Sequence, residues 1–258
     1  MPSIGDQHFD DYAPQTAAKH VILEKYFRAY VTALSRTVDA FHYVDGFAGQ
    51  GTYGDGHPGS ALLALGALAD QPKMASVTLV EADRKRFTQL DSSVRDHLEG
   101  LIDPWVVNAE FADIAAGVWR RPIYGRFRRV ATFAFIDPCG VRGVRLGDIA
   151  SLLKLPYGEC LLFWNYDGLN RWIGAVSAGS HSATGLRDFL GGEDVLQRAL
   201  DIFRSATDTV RKEVELRDLY VASLQQQAGA RFILPFRFQA KGKARTSHYL
   251  IHCSSSPL

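Results

Sequence analysis

The sequence predicts an α/β protein with a doubly wound, seven-stranded, mostly parallel sheet that closes in a C-terminal antiparallel hairpin. Three observations carry this prediction. Short β-type runs alternate with segments whose apolar residues recur at helical spacing. The run "RVATFAFIDP" is apolar at nearly every position, as in a strand buried on both faces. The last two β-type runs are joined by the short loop "GKART", as in a hairpin.

The elements follow in order. "AAKHVILEKYFRAYVTAL" (17–34) places Val21, Ile22, Leu23, Tyr26, Phe27, Tyr30, Val31 and Leu34 mainly on one helical stripe, giving a helical extension over residues 1–38. "AFHYVD" (40–45) is a first strand, and "SALLALGALADQ" (60–71) is a helix with Ser60 as its N-cap. "ASVTLVEAD" is a second strand and "RKRFTQLDSSVRDHL" its helix; "PWVVNAEF" is a third strand and "DIAAGVW" a short helix. "RVATFAFIDP" and "ECLLFWNYDG" are strands four and five. "DTVRKEVELRDLYVASLQQQAG" is a long amphipathic helix ending at glycine, and "ARFILPFRFQAK" and "SHYLIHCSS" form the hairpin.

At 258 residues and 47% hydrophobic, the chain is expected to be a single domain (1–258) with one sizeable core. Twenty-nine basic against 28 acidic residues leave a formal charge of +1, so no global field draws it to nucleic acid or membrane. Cys139, Cys160 and Cys253 are odd in number and lack metal-ligand spacing, so they read as free buried thiols, with no disulfide framework and no metal. The start has acids where a leader would be basic, and no apolar run approaches the roughly 20 residues that span a bilayer, so a cytoplasmic protein is expected.

Six glycines crowd "YVDGFAGQGTYGDGHPGS" (43–60), where the first strand must turn toward a helix. In Asp45-Gly46-Phe47-Ala48-Gly49-Gln50-Gly51, the missing Cβ atoms at 46, 49 and 51 allow positive φ and close approach of a flat ligand at the strand's carboxyl end. No Gly-Lys-Ser/Thr follows, which argues against a nucleoside triphosphate. Because Gly51 is separated from the helix start near Ser60, the pyrophosphate of an NAD-type dinucleotide is also disfavoured. Glu81, with Ala82 beside it, ends strand two, where a carboxylate can accept both hydroxyls of an adenosine ribose. After strand three, Glu110, next to Phe111, and Asp113 compete for the adenine amine.

"DGFAGQG", "LVEAD" and "FIDPCG" at three strand ends, with the terminal hairpin, resemble the Rossmann-like class I S-adenosylmethionine-dependent methyltransferases. "AKHVILEKYFRAY", "YVDGFAGQGTYGDGHPGSALLAL", "FIDPCG", "NYDGLNRW" and "YLIHCSSSP" resemble more closely a bacterial family, the three-Cys-motif partner (TcmP) proteins. That resemblance implies a methyltransferase-like domain associated with a second protein. A phenylalanine usually stands in that family where this chain has Cys139, a departure that should alter packing more than chemistry.

Methyl transfer is an in-line displacement that needs alignment above all. Asp137, fixed by Pro138 at the tip of strand four, can accept a hydrogen bond from an attacking amine or hydroxyl, or contact the cofactor. Base-methylating enzymes carry two prolines and an aromatic at this place; here it reads Asp137-Pro138-Cys139-Gly140. Asn165 and Tyr166, with Asn170, Arg171 and Trp172 beyond strand five, can supply stacking and hydrogen bonds instead. Arg142, Arg145 and "KGKAR" belong to the pocket side or its rim, whereas "RRPIYGRFRR" (120–129) enters from the amino end as a solvated face. "TYGDGHPG" (52–59) is a flap or a plain surface loop, with Tyr53 and His57 candidates to reach substrate; Lys19 and His20 would close the cofactor's carboxylate side. The reading is an S-adenosylmethionine-dependent methyltransferase with a nucleic acid or nucleotide acceptor. Its rival is a catalytically silent binding subunit acting with a partner protein.

Overall fold

Seven strands run in the order β3-β2-β1-β4-β5-β7-β6. They are β1 (Ala40–Asp45), β2 (Ala75–Val80), β3 (Ile102–Val107), β4 (Val130–Ile136), β5 (Glu159–Trp164), β6 (Phe232–Gln239) and β7 (Thr246–Ser254). The first five are parallel; β7 lies antiparallel to β5, and β6 antiparallel to β7. This computed structural model describes residues 14–138, 140, 142–239 and 245–256, so Cys139 and the basic residues Lys241 and Lys243 of the hairpin loop fall outside it.

Helices cover both faces. On one lie α1 (Pro14–Leu34), α2 (Ser60–Ala69) and α3 (Arg84–Asp96), packed on Phe41, Tyr43, Val77, Leu79, Phe133, Phe135 and Leu161. On the other, α6 (Leu146–Leu153), α7 (Tyr166–Ser177), α8 (Thr184–Leu190), α9 (Glu193–Ser205) and α10 (Thr209–Gln226) pack on Val44, Ala134, Ile136, Leu162, Trp164 and Ile251. Successive residues of each central strand therefore feed opposite cores, which is why those strands read as continuous apolar runs. Two shorter helices, α4 (Phe111–Ile114) and α5 (Pro122–Arg126), flank a 3-10 turn over Ala115–Arg120.

Several boundaries differ from the sequence expectation. Strand three begins at Ile102 and ends at Val107; Pro104 is tolerated because β3 is a sheet edge. Strand five stops at Trp164, and Tyr166–Ser177 is helix, with Asn165 as N-cap. Gly59, not Ser60, precedes α2 as its cap. Helices α6 to α9 were not expected individually. The N-terminal helix is no appendage: Phe27, Tyr30 and Tyr43 surround the buried Phe133 ring at centroid distances of 5.0, 5.3 and 6.3 Å. Among the described residues no helix is long and apolar enough to cross a membrane.

Phe133→Ala should therefore loosen α1 and the sheet together. We expect a loss of about 3 to 5 kcal/mol in urea unfolding monitored by circular dichroism; a loss below about 1 kcal/mol would mean that this aromatic cluster does not join them.

Candidate cofactor and acceptor site

The strand order reverses between β1 and β4, and a crevice forms there at the carboxyl ends of the strands. It is a cavity of about 900 Å³.

Its floor is the glycine turn. Asp45, fully buried, accepts hydrogen bonds from the Phe47 amide (3.2 Å) and the Tyr43 hydroxyl (3.2 Å). Burial pushes its carboxyl up to about 6, against the opposing pull of hydrogen bonds from Ser60, Phe47 and Tyr43. Gly49 (φ 65°) and Gly51 (φ 87°) occupy the left-handed region as expected. Gly46 is needed for a different reason: a Cβ there would lie 2.9 Å from the Phe111 ring and 3.0 Å from Ile136.

The 52–59 segment is tied at its base, where Gly59 N donates to Gly51 O (2.7 Å) and Tyr53 N to His57 O (2.9 Å). This closure corrects one sequence argument. Gly51 and the start of α2 are apart in sequence but adjacent in space, and Gly59 and Ser60 both line the cavity. The separation that disfavoured a dinucleotide is therefore not a spatial one.

Glu81, buried at the tip of β2, lines the cavity, and its Oε1 accepts from Asp83 N (2.7 Å) and Arg86 Nε (3.2 Å). Asn108, which the sequence reading passed over, donates from Nδ2 to the carbonyls of Glu81 (2.9 Å) and Ala82 (2.8 Å), fixing that turn. Glu110 lines the cavity, while Asp113 belongs to a separate cleft beside Trp105 and Arg120. Phe47 and Phe111 pack at 5.8 Å, and both contribute apolar wall; Ala48 and Ala82 complete it.

Asp137, just after β4, is paired with the ammonium of Lys19, which also stands 4.6 Å above the Phe163 ring. Both residues line the cavity, so Lys19 engages the strand-four carboxylate rather than simply closing a cofactor's carboxylate side. His20 is buried beside the Tyr53 ring at 5.7 Å. Burial, with the neighbouring Lys19 charge, pushes its imidazole down to about 3, so it is neutral near pH 7.

Helical periodicity sorts the residues after β5. Asn165, Gly168, Arg171, Trp172 and Ala175 line the cavity along one face of α7, and Asn165 Oδ1 caps the helix by accepting from Gly168 N (2.7 Å). Tyr166 points away, buried edge-on against Trp164 (6.0 Å) and Tyr249 (6.4 Å), and Asn170 is not among the lining residues. Read as a strand end, the segment could not reveal this division. His57 stands exposed in the 52–59 loop, 3.0 Å from Asp55, and Asp45 serves the turn from beneath; neither lines the cavity.

Of the basic groups, Arg142 lines the cavity with its guanidinium 4.8 Å from the Trp172 ring centroid. Arg145 is instead spent on a capping interaction with Asp148 (2.9 Å) and Arg245 on Asp167 (2.8 Å). In the 120–129 stretch, the Tyr124 hydroxyl bonds the buried His42 (2.7 Å), and Arg129 pairs with Asp39 (2.9 Å), so this stretch serves structure at the amino end of the sheet. Gln15, Thr16, Gln50, Arg86, His181 and His248 also line the cavity and were not anticipated. Cys160 and Cys253 are buried free thiols facing each other across β5 and β7. Among the described residues no cluster of His, Cys, Asp and Glu is arranged to hold a metal ion.

No family sequence profile matches the chain, and no curated protein matches it. Solved structures do. Protein LPL1258 from Legionella pneumophila, assigned to DUF519, superposes with a TM-score of 0.51 at 11% identity, covering 93% of this chain and 84% of that one. An O-methyltransferase from Bacillus cereus in complex with SAH gives 0.44 at 11% identity over 97% and 86% of the two chains. Trm1 from Pyrococcus horikoshii with S-adenosyl-L-methionine gives 0.41 at 12%, over 91% and 55%. The first likeness shows a shared fold, and the observed sheet is seven-stranded and mostly parallel with a C-terminal antiparallel pair, as the sequence predicts.

The turn can be tested through its buried carboxyl. Asp45 holds its proton to about pH 6 when folded against a reference of 3.8, so folded molecules bind more protons between those values. A raised folded pKa gives stability that is present below the unfolded value and lost as pH rises through the folded one. Asp45→Asn removes this titration. The unfolding free energy of the native protein minus that of the variant should therefore fall by roughly 2 kcal/mol from about pH 4 to 6.5, measured in urea. A flat difference across that window would contradict the raised carboxyl.

Proposed function

We propose that the protein is an S-adenosylmethionine-dependent methyltransferase acting on a nucleic acid or nucleotide acceptor, and that its motifs place it among the three-Cys-motif partner proteins. The observation that carries the reading is the convergence, in one cavity, of the glycine turn after β1, Glu81 after β2, Glu110 after β3 and Asp137 after β4. These groups suit the parts of the cofactor in turn. The cavity-lining main chain from Gly46 to Gly51 admits a flat group, Glu81 offers a carboxylate to ribose hydroxyls, and Glu110 is an acceptor for an adenine amine. Phe47 and Phe111 give the base an apolar wall.

When bound, the cofactor supplies an electrophilic methyl group. The chain's contribution is alignment and charge. Asp137 Oδ2 is engaged by Lys19, which leaves Oδ1 to accept a hydrogen bond from an acceptor amine or hydroxyl and to disperse positive charge as it grows. Asn165, with its Oδ1 committed to the helix cap, has its amide nitrogen to donate. Tyr53 supplies aromatic surface on the acceptor side. Tyr166, Asn170 and His57, which the sequence suggested, act at most behind this layer.

Calorimetric titration with S-adenosylmethionine and S-adenosylhomocysteine, with NAD as control, tests the reading. Micromolar binding of the first two is expected, weakened more than tenfold by Glu81→Ala, a change of about 1.4 kcal/mol. Binding of NAD in preference to both, or no binding by folded protein, would overturn it. With a methyl acceptor in hand, Asp137→Ala should reduce transfer by about 10²-fold or more, whereas an unchanged rate would remove Asp137 from the chemistry.

A further inference from the structure

Four cationic side chains line the cavity, and two of them are already matched: Lys19 by Asp137 and Arg86 by Glu81. Among the described residues, Arg142 and Arg171 have no ion-pair partner, and both line the cavity next to Trp172, Arg142 over its ring and Arg171 as its chain neighbour. Arg142 comes from the loop between β4 and α6, Arg171 from α7.

Trp172 holds this arrangement together. Its indole carries the Arg142 guanidinium on one face at 4.8 Å. Its Nε1 donates to Ser182 O (3.4 Å), and His181 meets the ring edge-on at 6.5 Å. A guanidinium laid on an aromatic face keeps its in-plane N–H groups free for a second partner and loses less freedom on binding one. With Arg142 on its face, Trp172 is a platform for a cation and not an open stacking surface for a base, which changes the role its sequence position suggested.

We propose that Arg142 and Arg171 form an oxyanion clamp that holds a phosphate group of the acceptor, with Trp172 as the positioning residue that orients Arg142. The proposal rests on the nucleotide-acceptor reading and narrows it: the acceptor is recognised through a phosphate held at the cavity mouth, while its planar base reaches inward toward Asp137. Two unneutralised guanidiniums match the charge and fork geometry of a phosphate. A free nucleoside monophosphate and a single nucleic acid strand share that chemistry.

The test is a fluorescence or calorimetric titration of the full chain, with and without S-adenosylhomocysteine. Probes are the four common nucleosides, their 5′-monophosphates, and six-nucleotide single strands of RNA and DNA. At least one phosphate-bearing probe should bind ten-fold or more tightly than its nucleoside, and Arg142→Gln/Arg171→Gln should abolish that preference without altering S-adenosylhomocysteine affinity. Trp172→Leu should lower it several-fold and Trp172→Phe should restore most of it, a rescue that a merely structural tryptophan would not show. Preference for monophosphates or for strands identifies the source. Equal binding of nucleosides and phosphates, an undiminished preference in the double variant, or failure of every probe while S-adenosylhomocysteine binds would overturn the clamp. Phosphate-dependent binding without S-adenosylhomocysteine binding would keep the clamp and reject the cofactor.

Discussion

The buried carboxylate of Asp45 is the constraint on which the site depends. It ends the central strand β1 and gathers hydrogen bonds from Tyr43 on its own strand, from Phe47 in the turn and from Ser60 at the start of α2. Three pieces of chain are thus fixed by one group. The turn can then run at positive φ through Gly49 and Gly51, and the 52–58 excursion returns to where it left, because Gly59 N bonds Gly51 O. A carboxylate held in so dry a place costs stability as it ionises. That cost is accepted at a point where the main chain, bare of side chains, has to face a ligand.

The N-terminal helix completes the site from outside the sheet. Phe27 and Tyr30 root α1 on Phe133, and this anchoring carries Lys19 onto Asp137 and Phe163, and the neutral His20 onto Tyr53. An element that looks peripheral in the chain therefore closes one wall of the cavity. The other wall is α7, whose 3.6-residue period divides a run of polar and aromatic residues into those that face the cavity and those that serve the core.

Most of the sheet was legible in the sequence because its central strands, buried on both faces, leave uninterrupted apolar runs that few other structures produce. The glycine turn, Glu81, Glu110 and Asp137 were legible for a related reason: parallel strands deliver their carboxyl-end residues to one edge. The helices between β4 and α10 were not. Short segments such as Leu146–Leu153 and Thr184–Leu190 give too few turns for a clear period, and glycines 168, 174, 179, 191 and 192 make the region look like loop. The consequence was local. Tyr166 and Asn170 could be assigned to the cavity only while their helix was unrecognised, and the adjacency of Gly59 to Gly51 lies in a tertiary hydrogen bond that no spacing reveals.

The central claim is that strand-end groups from β1, β2, β3 and β4 form one adenosyl-binding cleft with the acceptor side beyond Asp137. A crystal structure of the protein grown with S-adenosylhomocysteine tests it most directly. The account predicts the ribose hydroxyls on Glu81, the adenine between Glu110 and the Phe47–Phe111 wall, and the sulfur directed toward Asp137 and Lys19. Ligand bound elsewhere, or bound with its adenosine away from Glu81 and Glu110, would contradict it.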